Sequence, residues 1–194
     1  MQINEIQAIA LLKNGDISGL EYLVNQYQVK AVQTAFLITG DPYAAEDITQ
    51  NAFLRAAERI GQFNDQLPFQ PWFIRTVINE AIKYAKKQTR NTSLDGYDES
   101  VLDWLKDAKP LPEKYVEDAE LRNQVFNALM RLSPDERKVI IQRHFLEMNE
   151  AEMANDLNRP RSTVKWWLHT ARKKLRFIWN GNQRENEGVN HENS

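Results

Sequence analysis

At 194 residues the chain is long enough for one large domain or two small ones. It is 42% hydrophobic and 27% charged, and no apolar run approaches the roughly 18 residues of a membrane helix, which excludes membrane insertion. The net charge of −2 hides a segmental pattern: 1–90 is balanced, 91–118 holds 3 basic and 8 acidic residues, and 119–179 holds 12 basic and 7 acidic residues, as expected when one module faces a polyanion.

The opening "MQINEIQAIALLKNGD" has no basic stretch ahead of its apolar residues and does not read as a signal peptide. The absence of cysteine excludes disulfides and thiolate metal sites and fits a cytoplasmic protein. Strand signals are nearly absent, while helix starts recur. Ser18-Gly-Leu-Glu21 is expected to be a capping box opening a helix with Leu20, Leu23, Val24 and Tyr27 on one face. Asp41-Pro42 supplies an N-cap and a proline at the first helical position, starting a helix to about Ile60. The stretch "GQFNDQLPFQP" breaks it, and another helix is expected from Trp72 to about Arg90.

Residues 93–118 are acidic, carry two prolines and are expected to be a flexible linker. Helices resume near Ala119. Ser133-Pro-Asp-Glu136 is a capping box with proline at the first helical position, and Asn149 opens a further helix. A short helix Glu150–Leu157, a turn at 158–161 and a longer helix capped by Ser162 have the dimensions of a helix-turn-helix. The expected fold is all-α. Two small helical domains, 1–92 and 119–179, are joined by the acidic linker, and a polar, disordered tail follows from 180 to 194.

Helical projection sorts the faces. In the last helix Val164, Leu168, Ala171 and Leu175 form an apolar stripe, with Trp167 to one side. Trp166 lies about 200° from Val164, beside His169, Thr170, Lys173 and Arg176. Either this face meets the DNA major groove, or it is solvated and Trp166 packs on "FIW" at 177–179. In the helix after the break, Ile74, Val77, Ile78, Ala81 and Ala85 are the buried stripe. Trp72, Thr76, Asn79, Lys83, Lys86 and Arg90 face away, suited to unstacked bases unless Trp72 packs on its neighbours. In the helix before the break Ala45, Ile48, Thr49, Ala52 and Ala56 point inward. Asp47, Gln50, Leu54, Ala57 and Glu58 point outward, either as a docking stripe or as an ordinary surface.

"AEDITQNAFLRA" (45–56), "PWFIRTVINEAI" (71–82) and "SPDERKVIIQRHFLEMNEAEMANDLNRPRSTVKWWLHTARKKL" (133–175) together resemble an extracytoplasmic-function sigma factor. The resemblance covers about 150 residues, including both modules in order. It implies that the first domain docks on core RNA polymerase through Asp47, Gln50, Asn51, Leu54 and Glu58. It also implies that this domain opens and reads the minus-ten element through Phe63, Asn64, Trp72, Arg75, Thr76, Asn79, Lys83, Lys86 and Arg90. The loop at 61–71 would hold a flipped base. The second domain would read the minus-thirty-five element through Arg161, Ser162, Thr163, Lys165, Trp166, His169, Thr170, Arg172, Lys173 and Arg176. Many relatives also have an anti-sigma partner. The chain departs from the family pattern at Asn158, Arg159, Ser162, Trp166-Trp167, Thr170 and Lys83, so promoter sequence does not carry over.

The linker at full extension reaches about 85–95 Å, and as a relaxed coil only about 25–30 Å. It can span two promoter elements but cannot set their spacing, so a rigid partner is implied. The competing reading is a dimeric helix-turn-helix regulator acting without polymerase, whose own symmetry would set the spacing. Enzyme chemistry is not expected: there are three histidines, with no glycine-rich phosphate loop, nucleophile elbow or metal-spaced cluster. No metal or cofactor is implied.

Overall fold

The computed structural model of the chain describes residues 3–91 and 119–191. The backbone divides into two compact units, Met1–Pro110 and Leu111–Ser194. All secondary structure among the described residues is helical, and the acidic stretch 93–118 lies outside them. No helix among them is long and apolar enough to cross a membrane.

The N-terminal unit begins with α1, Glu5–Lys13, closed by a capping box in which the Asn4 side chain accepts from Gln7 N–H at 2.9 Å and the Gln7 side chain accepts from Asn4 N–H. Helix α2, Ser18–Thr39, does not use the expected Ser18–Glu21 capping box: Ser18 is already helical. Asp16 Oδ1 accepts the Ser18 N–H at 2.9 Å, and a carboxylate ahead of the helix also complements the positive end of its dipole. Gly40 ends α2 at φ 74°, a left-handed cap that glycine adopts without steric cost. Asp41 Oδ1 then accepts from Ala44 N–H at 3.0 Å to start α3, Pro42–Arg59. A 3-10 turn, Ile60–Gln62, and a loop lead to α4, Phe69–Asn91. Helix α4 starts three residues before the expected Trp72, with Pro71 in the first turn, where its missing N–H has no intrahelical partner to lose.

Helix α2 packs against α1, α3 and α4, and α3 against α4. The α1–α2 crossing is close because Gly19 lies under Ala8: a Cβ there would sit 2.1 Å from the Ala8 carbonyl oxygen. The centre is a run of aromatic rings. Phe53 stacks on Phe73 with centroids 4.3 Å apart, Phe73 on Phe69 at 5.7 Å, and Phe69 meets Phe63 and Trp72 at 5.6 and 5.5 Å. These contacts combine large buried area with favoured ring geometries.

The C-terminal unit contains α5, Ala119–Met130, α6, Pro134–His144, α7, Glu150–Leu157, and α8, Arg161–His191. Both expected starts form complete capping boxes, Ser133 with Glu136 and Asn149 with Glu152. The turn after α7 is a Schellman motif: Asn158 is left-handed at φ 50°, its N–H reaches Asn155 O at 3.3 Å, and Arg159 N–H reaches Ala154 O at 3.0 Å. Asparagine is the non-glycine residue that tolerates this conformation best. Helix α8 starts at Arg161, and the Pro160 carbonyl accepts from Thr163 and Val164 at 3.0 and 3.2 Å. Ser162 is therefore inside the helix and is not its cap. Helix α8 also runs to His191, through the stretch expected to be a disordered tail. No proline follows Pro160, and the only glycines beyond it, Gly181 and Gly188, each cost a helix only about 1 kcal/mol relative to alanine.

Candidate nucleic-acid interface

The apolar stripe of α8 is buried as expected: Val164, Leu168 and Ala171 are fully covered and Leu175 is partly covered. Trp167 is partly buried, whereas Trp166 is 63% exposed. Phe177 is 81% exposed, so Trp166 is not covered by the 177–179 cluster and the packing alternative does not hold. Around Trp166 the structure brings Arg161, Ser162, Lys165, His169, Arg172, Lys173 and Arg176 to the surface, with Thr163 and Thr170 partly buried.

The electrostatics of this face are not uniform. Glu150 of α7 stands 3.7 Å from Lys165, and both border a cleft of about 480 Å³ with His169, Arg172 and Lys173. Lys174 is drawn off to Glu136 at 2.6 Å. Arg172 lies 3.5 Å from His144 Nε2; burial, then Arg172 and Arg143, hold that imidazole below its usual pKa. His144 is thus biased toward the neutral form by burial and by its two cationic neighbours.

The α3 residues Asp47, Gln50, Asn51, Leu54 and Glu58 are all exposed on one stripe, with Leu54 58% exposed. Asn51 returns its side-chain N–H to the Asp47 carbonyl at 2.9 Å. The inward set Ala45, Ile48, Thr49, Ala52 and Ala56 is buried.

The loop and α4 hold two corrections. Phe63 was expected at the nucleic-acid surface but is 4% exposed, because its ring wedges against Phe69 and Trp72 at 5.6 and 5.2 Å. Trp72 itself is partly buried in the same cluster, so packing accounts for much of its ring. Asn64 is exposed, and its Oδ1 accepts from Gln66 N–H at 3.0 Å. Arg75, Asn79, Lys83 and Lys86 are exposed and Thr76 is partly buried; the side chain of Arg90 lies outside the described residues. Lys83 is tied to Glu80 at 2.8 Å, and Glu80 also meets Arg55 of α3 at 2.6 Å. Burial pushes the Glu80 carboxyl up, but Lys83 and Arg55 together hold it below the usual range.

Gln66 and Leu67 are also exposed at the loop tip, Leu67 by 60%.

Comparison with known proteins identifies the two units. Residues 23–91 match the family Sigma-70 region 2, and residues 122–175 match Sigma-70, region 4. The chain is 30% identical over 178 residues to the ECF RNA polymerase sigma factor SigW of Bacillus subtilis, covering 87% of this chain and 92% of that one. It is 25% identical to the ECF RNA polymerase sigma-E factor of Escherichia coli K12, covering 90% and 93%. Among solved structures, its fold is similar to CnrH in complex with the cytosolic domain of CnrY, with TM-score 0.63, 18% identity and coverage of 91% and 97%. It is likewise similar to the sigma factor RpoE in complex with the anti-sigma factor NepR from Bartonella quintana, with TM-score 0.64, 17% identity and coverage of 82% and 96%. A chain that is all-helical among its described residues, with a region 2 unit followed by a region 4 helix-turn-helix and with this extent of likeness to SigW, belongs to the extracytoplasmic-function sigma factors, which are initiation factors for transcription and not enzymes.

Proposed function

We propose a division of labour in which 1–92 docks on core RNA polymerase through the α3 stripe of Asp47, Gln50, Asn51, Leu54 and Glu58. The same unit opens and reads the minus-ten element with the 64–68 loop and the outer face of α4. The unit from 119 onward lays α8 in the major groove of the minus-thirty-five element, with 93–118 as the tether between them. The protein acts in the cytoplasm, and its N-terminal unit is also the surface an anti-sigma factor would hold; a sigma factor of similar fold is solved in complex with the anti-sigma factor NepR.

The single observation supporting this reading is the opposed pair in α8. Trp166 is 63% exposed amid Lys165, His169, Lys173 and Arg176, one residue before a tryptophan that leans on the core. A solvated helix gains nothing from an exposed indole, whereas in a major groove lysines and arginines neutralise phosphates and an aromatic edge meets the bases. Footprinting of a cognate promoter with and without core polymerase tests it. Weak protection alone and strong protection of both elements with polymerase is expected. Tight binding to a palindrome without polymerase would instead support a dimeric regulator.

A further inference from the structure

We infer that Lys13, on α1, is a positioning residue for the minus-ten reading loop, fixing it from outside the Sigma-70 region 2 stretch, which begins at residue 23. This rests on the reading in which that loop holds an unpaired base.

The ammonium of Lys13 sits 2.9 Å from the carbonyl oxygen of Phe63 and 2.7 Å from Asp65 Oδ1, contacts made across 50 and 52 residues of sequence. It therefore grips the backbone on one side of Asn64 and the side chain on the other. Two further fastenings complete the loop. The Phe63 ring is held by Phe69 and Trp72 beneath it, and an Asx turn closes above, with Gln66 N–H on Asn64 Oδ1 and Leu67 N–H on Asn64 O, both at 3.0 Å. The residues from 64 to 68 are all exposed, so the side facing a base is rigidly backed yet open.

An ordinary surface ion pair contributes little, and the Lys13–Asp65 pair, 26% and 56% exposed, belongs to that class by itself. The bond to the Phe63 carbonyl is different. It is partly buried, and a charged donor on a main-chain acceptor fixes backbone rather than a mobile side chain. Lysine suits the task because one ammonium carries three donors that can diverge to two acceptors. A loop ordered in advance captures a base without having to lose that freedom on binding.

The test uses the full chain with core polymerase and a promoter carrying 2-aminopurine at successive minus-ten positions. It compares wild type with Lys13→Met, Lys13→Arg and Asn64→Ala. Lys13→Met is expected to keep polymerase capture and the thermal midpoint, yet lower base capture roughly three- to tenfold. The loss should fall at the same position that responds to Asn64→Ala, and Lys13→Arg should restore part of it. Unchanged base capture in Lys13→Met while Asn64→Ala is defective overturns the proposal and leaves the loop reading standing. A loss spread evenly over all positions and matched by a fall in thermal midpoint also overturns it. No response to Asn64→Ala at any position removes the loop reading and the proposal together.

Discussion

Asp156 of α7 accepts a hydrogen bond from the side-chain amide of Gln142 on α6 at 2.6 Å, and the same carboxylate oxygen lies 3.5 Å from the ammonium of Lys138. Gln142 is fully buried and the side chains of Lys138 and Asp156 are only 10% and 8% exposed. The bond joins the two helices that precede α8, so the angle at which α8 is presented depends on a buried polar contact as well as on apolar packing.

Buried polar contacts are costly to break from one side. Asp156→Ala removes the acceptor from Gln142 and Lys138 at once, and a loss of about 2–4 kcal/mol is expected. Asp156→Asn, which keeps one oxygen, should lose less. Urea unfolding measures both.

Glycine at 19 is expected to be irreplaceable and glycine at 61 replaceable. Inside a helix, Gly→Ala ordinarily gains about 1 kcal/mol. At Gly19 the added Cβ would meet the Ala8 carbonyl oxygen at 2.1 Å, a backbone atom that cannot swing aside, so the clash decides the sign. Gly19→Ala should lower the thermal midpoint by several degrees, roughly the effect of 1–3 kcal/mol of overpacking. Gly61→Ala meets nothing within 4 Å and should leave the midpoint near that of wild type.

Glu136 gives the C-terminal unit a pH dependence. Burial raises its carboxyl pKa, but the Lys174 ammonium at 2.6 Å and the Ser133 N–H and hydroxyl at 3.0 and 2.9 Å bring it below its ordinary value of 4.5. A carboxyl lowered on folding binds fewer protons folded than unfolded. Its contribution is therefore present above 4.5 and lost as pH falls through the lower folded value. Glu136→Gln should cost roughly 0.5–2 kcal/mol at neutral pH, as loss of a cap does. It should also flatten the acid limb of a pH–stability curve measured by circular dichroism.

The two adjacent tryptophans should separate cleanly. Trp166→Ala is expected to leave the stability within about 0.5 kcal/mol of wild type and to alter minus-thirty-five preference in start-site mapping. Trp167→Ala should lower stability by roughly 1–3 kcal/mol, since its ring is partly buried. Equal loss of promoter selectivity in both, each matched by unfolding, would contradict the assignment.

Periodic features were legible in the sequence. The Ile48, Thr49, Ala52, Ala56 stripe and the Val164, Leu168, Ala171 stripe follow from helical spacing, and Asn158 announces its left-handed turn by its residue type. Long-range contacts were not. Phe63 was expected to face nucleic acid because the family resemblance implies a base-holding loop at 61–71, but its partners Phe69 and Trp72 reach it only once the loop folds back. Lys13 gave no local signal, since its partners lie 50 and 52 residues away. Asp16 rather than Ser18 supplies the side-chain acceptor ahead of α2, because two capping residues stood within one turn and spacing does not rank them. Lys83 was placed on the nucleic-acid face, but the structure ties it to Glu80, three residues before it, at 2.8 Å.

The account stands most directly on capture by core polymerase. Wild-type chain and the Asp47→Ala/Gln50→Ala variant, each mixed with core polymerase at low ionic strength, should be resolved by size-exclusion chromatography. Co-elution of wild type with polymerase, reduced at least tenfold in apparent affinity for the variant (about 1.4 kcal/mol), is the predicted result. Elution of the wild-type chain apart from the polymerase at every concentration would contradict it.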